Sequence, residues 1–261
     1  MLQDAMTDAS ARPLLLLAND DGVHALGLRA LARALASLGD VVVVAPASEQ
    51  STRSHALTLH RPLRLQAVSE GVWSVDGTPA DCTYVALHHP TMLPRRPSLV
   101  VSGINHGPNL GTDVFYSGTV AAAREAAFRG VPALALSMPS DGDADRCAER
   151  ATDLVRRMLE GLPATPGRPA PLLNVNFPRS AEWKGVRATR LGVRAYEDSV
   201  EVRNDPRGRQ YLWIGGANIG HDDPDGSDTR AWDDGWISVS PLRLDLDADD
   251  RGGLAAALAA P

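Results

Sequence analysis

The chain has 261 residues, room for one large α/β domain or two small ones around an ample buried core. Hydrophobic residues make up 44% and charged residues 22%, an ordinary globular balance. A formal net charge of −6 excludes the basic face that wraps nucleic acid, so no stable nucleic-acid complex is expected; a small anionic ligand stays open, because a local metal overrides the global sign.

In chain order, Pro13 to Ala18 reads as a fully buried strand. Leu28, Leu31, Leu35 and Leu38 mark one face of a helix, which Gly39 stops. Val41 to Pro46 is a second buried strand, β-branched and ended by proline. Thr78-Pro79 is an N-cap followed by proline at the first helical position, opening a helix through His88. Leu99 to Gly103 is a third core strand, Ser117 to Arg129 an alanine-rich helix and Ala133 to Ser137 a short strand. Ala148 to Leu159 is amphipathic, with Ala151, Leu154, Val155 and Met158 inward; Gly161 and Pro163 end it. Leu172 to Phe177 gives a further strand.

This alternation predicts an α/β fold, a Rossmann-like three-layer core with a mostly parallel sheet. After about residue 180 the helical period fades. Segments 186–193, 210–214 and 236–242 read as strands between Gly, Asp, Asn and Pro loops. We expect a single domain over 13–250: an α/β core at 13–180, a β-rich extension at 181–245, and flexible termini at 1–12 and 246–261. Asp222, Asp223, Asp225 and Asp228 read as an acidic, solvated loop.

Two cysteines, Cys82 and Cys147, lie far apart without a CxxC motif, which argues against a disulfide framework or a thiolate zinc site and fits a reducing compartment. No apolar run approaches the ~20 residues that span a bilayer. The polar start, with Asp4 and Asp8, is unlike a secretory signal. A cytoplasmic location with no membrane partner is the expectation.

Three polar clusters follow the first three core strands: Asn19-Asp20-Asp21-Gly22, Ser48 to His55, and Ser102 to Gly111. Parallel strands bring their C-terminal ends to one edge, so the clusters converge. Two adjacent carboxylates there raise each other's pKa unless a cation or donors offset them. An oxygen-rich pocket of carboxylates, hydroxyl and amide suits Mg²⁺, Mn²⁺ or Ca²⁺ better than zinc. Ser117, Gly118 and Thr119 open a helix, whose exposed N–H groups bind phosphate. A metal beside a phosphate cradle is a layout for phosphate-ester hydrolysis. His55 and His106 lie inside the clusters without a fixed role, and Asp113 reads as a brace of its loop.

The motifs Asn19-Asp20-Asp21-Gly22, Ser102-Gly103-Ile104-Asn105, Asn109 to Val114 and Tyr116 to Glu125 resemble those of the SurE family, metal-dependent 5'/3'-nucleotidases. Val75 to Cys82, Asn174 to Pro178 and Gly235 to Leu242 extend the resemblance over nearly the whole chain. The resemblance implies one divalent metal per subunit, Mg²⁺ or Mn²⁺, held by Asp20, Asp21, a serine after the second strand, and Asn105. Ser48, Ser51 and Ser54 are the three serines available, and spacing favours Ser51. As a mechanistic reading, Asp20 and Asp21 are the catalytic pair, one of them orienting the attacking water or accepting its proton. Asn109, Ser117, Gly118 and Thr119 would hold the phosphate of a nucleoside 5'- or 3'-monophosphate, with short polyphosphate as a further substrate. Arms in that family pack on neighbouring subunits, so the segment around 197–220 implies a homodimer or homotetramer. Two rival readings are an aspartate-nucleophile phosphotransferase and a non-catalytic nucleotide- or metal-binding protein.

Overall fold

The computed structural model describes residues 12–162, 169–196, 199–215, 219–222, 224–245 and 257–258. The termini expected to be flexible, and the helix stop Pro163, lie almost wholly outside these residues. The first half carries strands β1 (Leu14–Ala18), β2 (Asp40–Pro46), β3 (Leu65–Ser69), β4 (Val72–Val75) and β5 (Leu99–His106), with helices α1 (Leu26–Leu35) and α2 (Pro79–His88). A short 3₁₀ turn (Gly111–Phe115) leads into α3 (Gly118–Phe128), β6 (Ala133–Met138), α4 (Ala144–Gly161) and β7 (Leu172–Asn176). Then come β8 (Val186–Ala188), β9 (Val193–Tyr196), β10 (Val200–Asn204), β11 (Gln210–Ile214), β12 (Ile219–Asp222), α5 (Asp228–Asp233) and β13 (Ile237–Pro241).

Nine strands form one sheet in the order β3-β4-β2-β1-β5-β6-β7-β13-β8. The run from β4 to β7 is parallel; β3 pairs antiparallel with β4 and β13 antiparallel with β7, while β8 runs parallel to β13. Both sheet faces are covered, giving three layers. The leucines of β1 alternate between them: Leu15 and Leu17 pack with Leu28, Leu31 and Leu35 of α1 and Val155 of α4, while Leu14 and Leu16 pack with Cys82 of α2 and Val120 and Ala123 of α3. That two-sided burial explains why β1 is an unbroken apolar run. At Gly27 a Cβ would lie 2.1 Å from the carbonyl oxygen of Ile104, so only glycine lets α1 sit this close to β5.

Strand order reverses around β1: the chain moves outward to β2 and β4, then returns to place β5 on the other side of β1. The crevice above the C-terminal ends of β1 and β5 is therefore the switch point, where open α/β sheets take ligands.

The C-terminal third divides. β13 and β8 complete the main sheet, whereas β10 and β11 form a separate two-stranded hairpin. Segment 186–193, read as one strand, breaks after Ala188 and resumes at Val193 in a ladder with β12. Leu212, Trp213 and Ile214 on the hairpin are exposed, as are Val200 and Val202. No helix among the described residues is long and apolar enough to cross a membrane.

Candidate active site

The turn after β1 is closed by Asn19, whose Nδ2 donates to the Gly22 carbonyl at 2.9 Å. It is tied to the loop after β2 by Gln50 N–H donating to the Asp20 carbonyl and Val23 N–H to that of Pro46, both at 2.8 Å. Asp20 is thereby held at the crevice with only 4% of its surface exposed. The Thr119 hydroxyl donates to its Oδ1. Burial pushes the Asp20 carboxyl up to about 6; Thr119 opposes the rise and the neighbouring Asp21 charge adds to it. Asp21 is less buried. Its Oδ2 accepts the His106 N–H at 3.3 Å, and burial still raises its carboxyl above the usual range against that bond.

Helix α3 begins against this pair. Ser117 is the N-cap, its Oγ accepting from Val120 N–H at 3.1 Å. A Cβ at Gly118 would lie 2.8 Å from Cβ and 2.9 Å from Oδ2 of Asp20. Glycine at the first turn of α3 is thus required by the close approach of Asp20. Ser117 lines the cleft; Gly118 and Thr119 meet Asp20 behind it.

The three serines after β2 separate clearly. Ser51 is exposed, lines the cleft and donates to Glu49 Oε1 at 2.8 Å. Ser54, at φ 51°, donates from Oγ to the Phe115 carbonyl at 2.6 Å and from N–H to that of Tyr116 at 3.1 Å. Ser48 accepts from Gln50 Nε2 at 3.5 Å. Two buried carboxylates anchor this loop. Asp81 of α2 accepts the Thr58 N–H at 2.8 Å and its hydroxyl at 2.6 Å, and Glu125 of α3 meets His55 Nε2 at 2.9 Å. His55, which also stacks on Phe128, is therefore occupied by α3.

Asn105, at the end of β5, donates from Nδ2 to the Gly107 carbonyl at 2.7 Å, which leaves Oδ1 as its available oxygen. Asn109 is braced by strands β6 and β7. Its N–H donates to Asn176 Oδ1 at 2.7 Å, its carbonyl accepts from Asn174 Nδ2 at 2.8 Å and Asn176 Nδ2 at 3.0 Å, and its Nδ2 donates to Ser137 Oγ at 2.8 Å. Asp113 pairs with Arg194 of β9 at 2.6 Å. Asp228 corrects the reading of a wholly solvated acidic loop. It is fully buried, accepting N–H bonds from Gly111 at 2.9 Å, Gly192 at 2.7 Å and Thr229 at 2.9 Å.

One cleft of about 840 Å³ brings together Asp20, Ser51, Asn105, Asn109 and Ser117, with His106, Asp113 and Tyr116. It also takes in Ser199, Val200, Ile214 and Gly215 from the base of the hairpin. Among the described residues no group of three or more His, Cys, Asp or Glu is placed to hold a metal. A cation at Asp20 and Asp21 would draw its remaining protein ligands from neutral oxygens, and the cleft offers those of Ser51, Thr52, Asn105, Asn109 and Ser117.

The family model described as Survival protein SurE matches residues 15–198. The chain belongs to the SurE family. A relative from Sorangium cellulosum, 5'-nucleotidase SurE, is 56% identical over 250 residues, covering 95% of this chain and 96% of the relative. A second of the same name, from Gemmatimonas aurantiaca, is 50% identical over 236 residues, covering 89% and 93%. The crystal structure of the SurE protein from Aquifex aeolicus superposes with a TM-score of 0.78 at 37% identity, covering 94% of this chain and 98% of that one. The SurE match takes in all the core residues of the cleft and stops just short of the hairpin residues Ser199, Val200, Ile214 and Gly215.

Proposed function

We propose that this SurE chain is a divalent-metal-dependent phosphatase that hydrolyses nucleoside 5'- and 3'-monophosphates to nucleoside and phosphate, and also acts on short polyphosphate. The two relatives named 5'-nucleotidase SurE support the reaction class. The observation that carries the metal is the pair Asp20 and Asp21, both pushed up by burial at the ligand-binding edge of the sheet. A cation offsets that penalty. The donor set of two carboxylates, a hydroxyl and an amide oxygen fits Mg²⁺ or Mn²⁺. Asp20, Asp21, Ser51 and Asn105 would hold it, one ion per subunit. When bound, such an ion polarises phosphoryl oxygens and lowers the pKa of a water.

The chain's own groups divide the remaining work. Asp20 is clamped by Thr119 and Gly118, so it fixes position. Asp21, less buried and held by one long bond from His106, has the freedom to take the proton of the attacking water. Ser117 and Asn109 orient the phosphate, Asn109 from a rigid buried bracket and Ser117 from the start of α3. The water oxygen joins phosphorus, the ester P–O bond breaks, and the leaving oxygen takes the proton that Asp21 removed from the water.

The exposed apolar hairpin supports self-association as a homodimer or homotetramer, and the two buried free thiols support a reducing, cytoplasmic setting. The direct test is phosphate release from 5'-AMP, 3'-AMP and tripolyphosphate with Mg²⁺, Mn²⁺, Ca²⁺ or chelator. Release that needs the metal supports the reading; release unchanged by chelator, or absent with every metal, refutes it.

A further inference from the structure

A phosphate group would occupy only a small part of the 840 Å³ cleft. Of its polar residues, Asp20, Ser51 and Asn105 serve the metal, and Asn109 and Ser117 serve the phosphate. A second set of lining side chains, Tyr116, Val200 and Ile214, has different chemistry. Val200 and Ile214 pair directly across the β10–β11 ladder, so both side chains leave the same face of the hairpin. They are 56% and 91% exposed, and Tyr116 is 66% exposed. Apolar side chains left open to water beside convergent polar groups are the signature of a small-molecule site. Tyr116 directly precedes Ser117, so an aromatic face stands one residue from the phosphate end. Flat heteroaromatic rings stack on such faces irrespective of their hydrogen-bonding edge.

We infer that Tyr116, Val200 and Ile214 form the wall that receives the nucleobase, so that the base of the hairpin selects nucleotides over bare sugar phosphates. The inference rests on the nucleotidase reading. It gives the hairpin a role at the site of its own subunit, separate from any role of its outer half in assembly. It also makes recognition tolerant of base identity, because stacking and apolar contact do not read the hydrogen-bonding edge of the base.

The test uses the full-length protein with Mn²⁺ and measures steady-state kinetics for AMP and for ribose 5-phosphate. Where ribose 5-phosphate turnover is undetectable, its inhibition constant against AMP is measured instead. Val200→Ser and Ile214→Ser should each raise KM for AMP roughly tenfold with kcat unchanged, and leave ribose 5-phosphate within about twofold. Leu212→Ser, on the same hairpin but outside the cleft, should leave both substrates unchanged. Equal shifts for the two substrates, no shift for either, or the same shift in Leu212→Ser would overturn the wall. Wild-type protein that releases phosphate from ribose 5-phosphate as readily as from AMP would overturn it alone. Wild-type protein that releases phosphate from neither would overturn the nucleotidase reading with it.

Discussion

The hydroxyl of Thr119, in the first turn of α3, donates to Oδ1 of Asp20 at the end of β1. A carboxylate this buried loses, without that donor, a charge-assisted bond that its small exposed surface cannot replace with water. Thr119→Val keeps the shape and removes the donor. We predict that it weakens Mn²⁺ binding by about tenfold, and destabilises the metal-free protein at neutral pH by about 1–3 kcal/mol in urea unfolding. Unchanged values in both would show that the bond does no work.

Gly118→Ala sets two principles against each other. Helix propensity favours alanine by up to ~1 kcal/mol. The added Cβ, however, would sit 2.8 Å from Asp20 Cβ, a contact neither group can escape without moving the carboxylate. We expect the variant to lose metal-dependent turnover and to melt below the wild type. A higher melting temperature with full activity would remove the close approach from the account.

Glu125 gives a pH dependence. Burial pushes its carboxyl up, and the hydrogen bonds from His55 and Arg129 outweigh burial and leave it below the ordinary value of 4.5. A depressed carboxyl contributes stability that is fully present above the unfolded value and is lost as pH falls through the folded one. The stability difference between wild type and Glu125→Gln should therefore be about 1–2 kcal/mol at pH 7 and shrink below pH 4.5. A difference that stays constant across that window would deny the pair its role in holding the loop of Ser51.

Asp228→Ala would strip three buried N–H groups of their acceptor, among them Gly111, two residues beyond Asn109. The expected cost is about 3 kcal/mol in urea unfolding, with a fall in turnover as the loop of Asn109 loosens. Asp225→Ala, on the exposed part of the same acidic stretch, should change neither.

These residues also mark how much the sequence discloses. The unbroken leucines of β1 and the valines of β2 announce a two-sided sheet, and the clusters that follow them announce its ligand edge. Asp20 and Asn105 were legible for that reason: chain topology alone brings them together. The hairpin of β3 and β4 was not, because its exposed edge residues Gln66, Ala67 and Ser69 carry no apolar period. The break between β8 and β9 was also hidden, since Gly192 is drawn aside by a carboxylate 36 residues away. Asp228 looks like its solvated neighbours in the sequence; only the fold buries it. Among Ser48, Ser51 and Ser54 spacing could only rank the candidates, and it is the contact of Ser54 with Phe115 and Tyr116 that sets that serine apart. His55 lay inside a candidate cluster, but its partner Glu125 is 70 residues on, beyond any local pattern.

The central claim is that Asp20 and Asp21 hold the divalent ion on which phosphate-ester hydrolysis depends. Asp20→Asn keeps the size of the side chain and an oxygen to accept from Thr119 while removing the charge. The measurement is phosphate release from AMP by this variant at saturating Mn²⁺, with its far-ultraviolet circular dichroism as the control for folding. The account predicts a wild-type fold with release reduced to background; turnover equal to that of the wild type would contradict it.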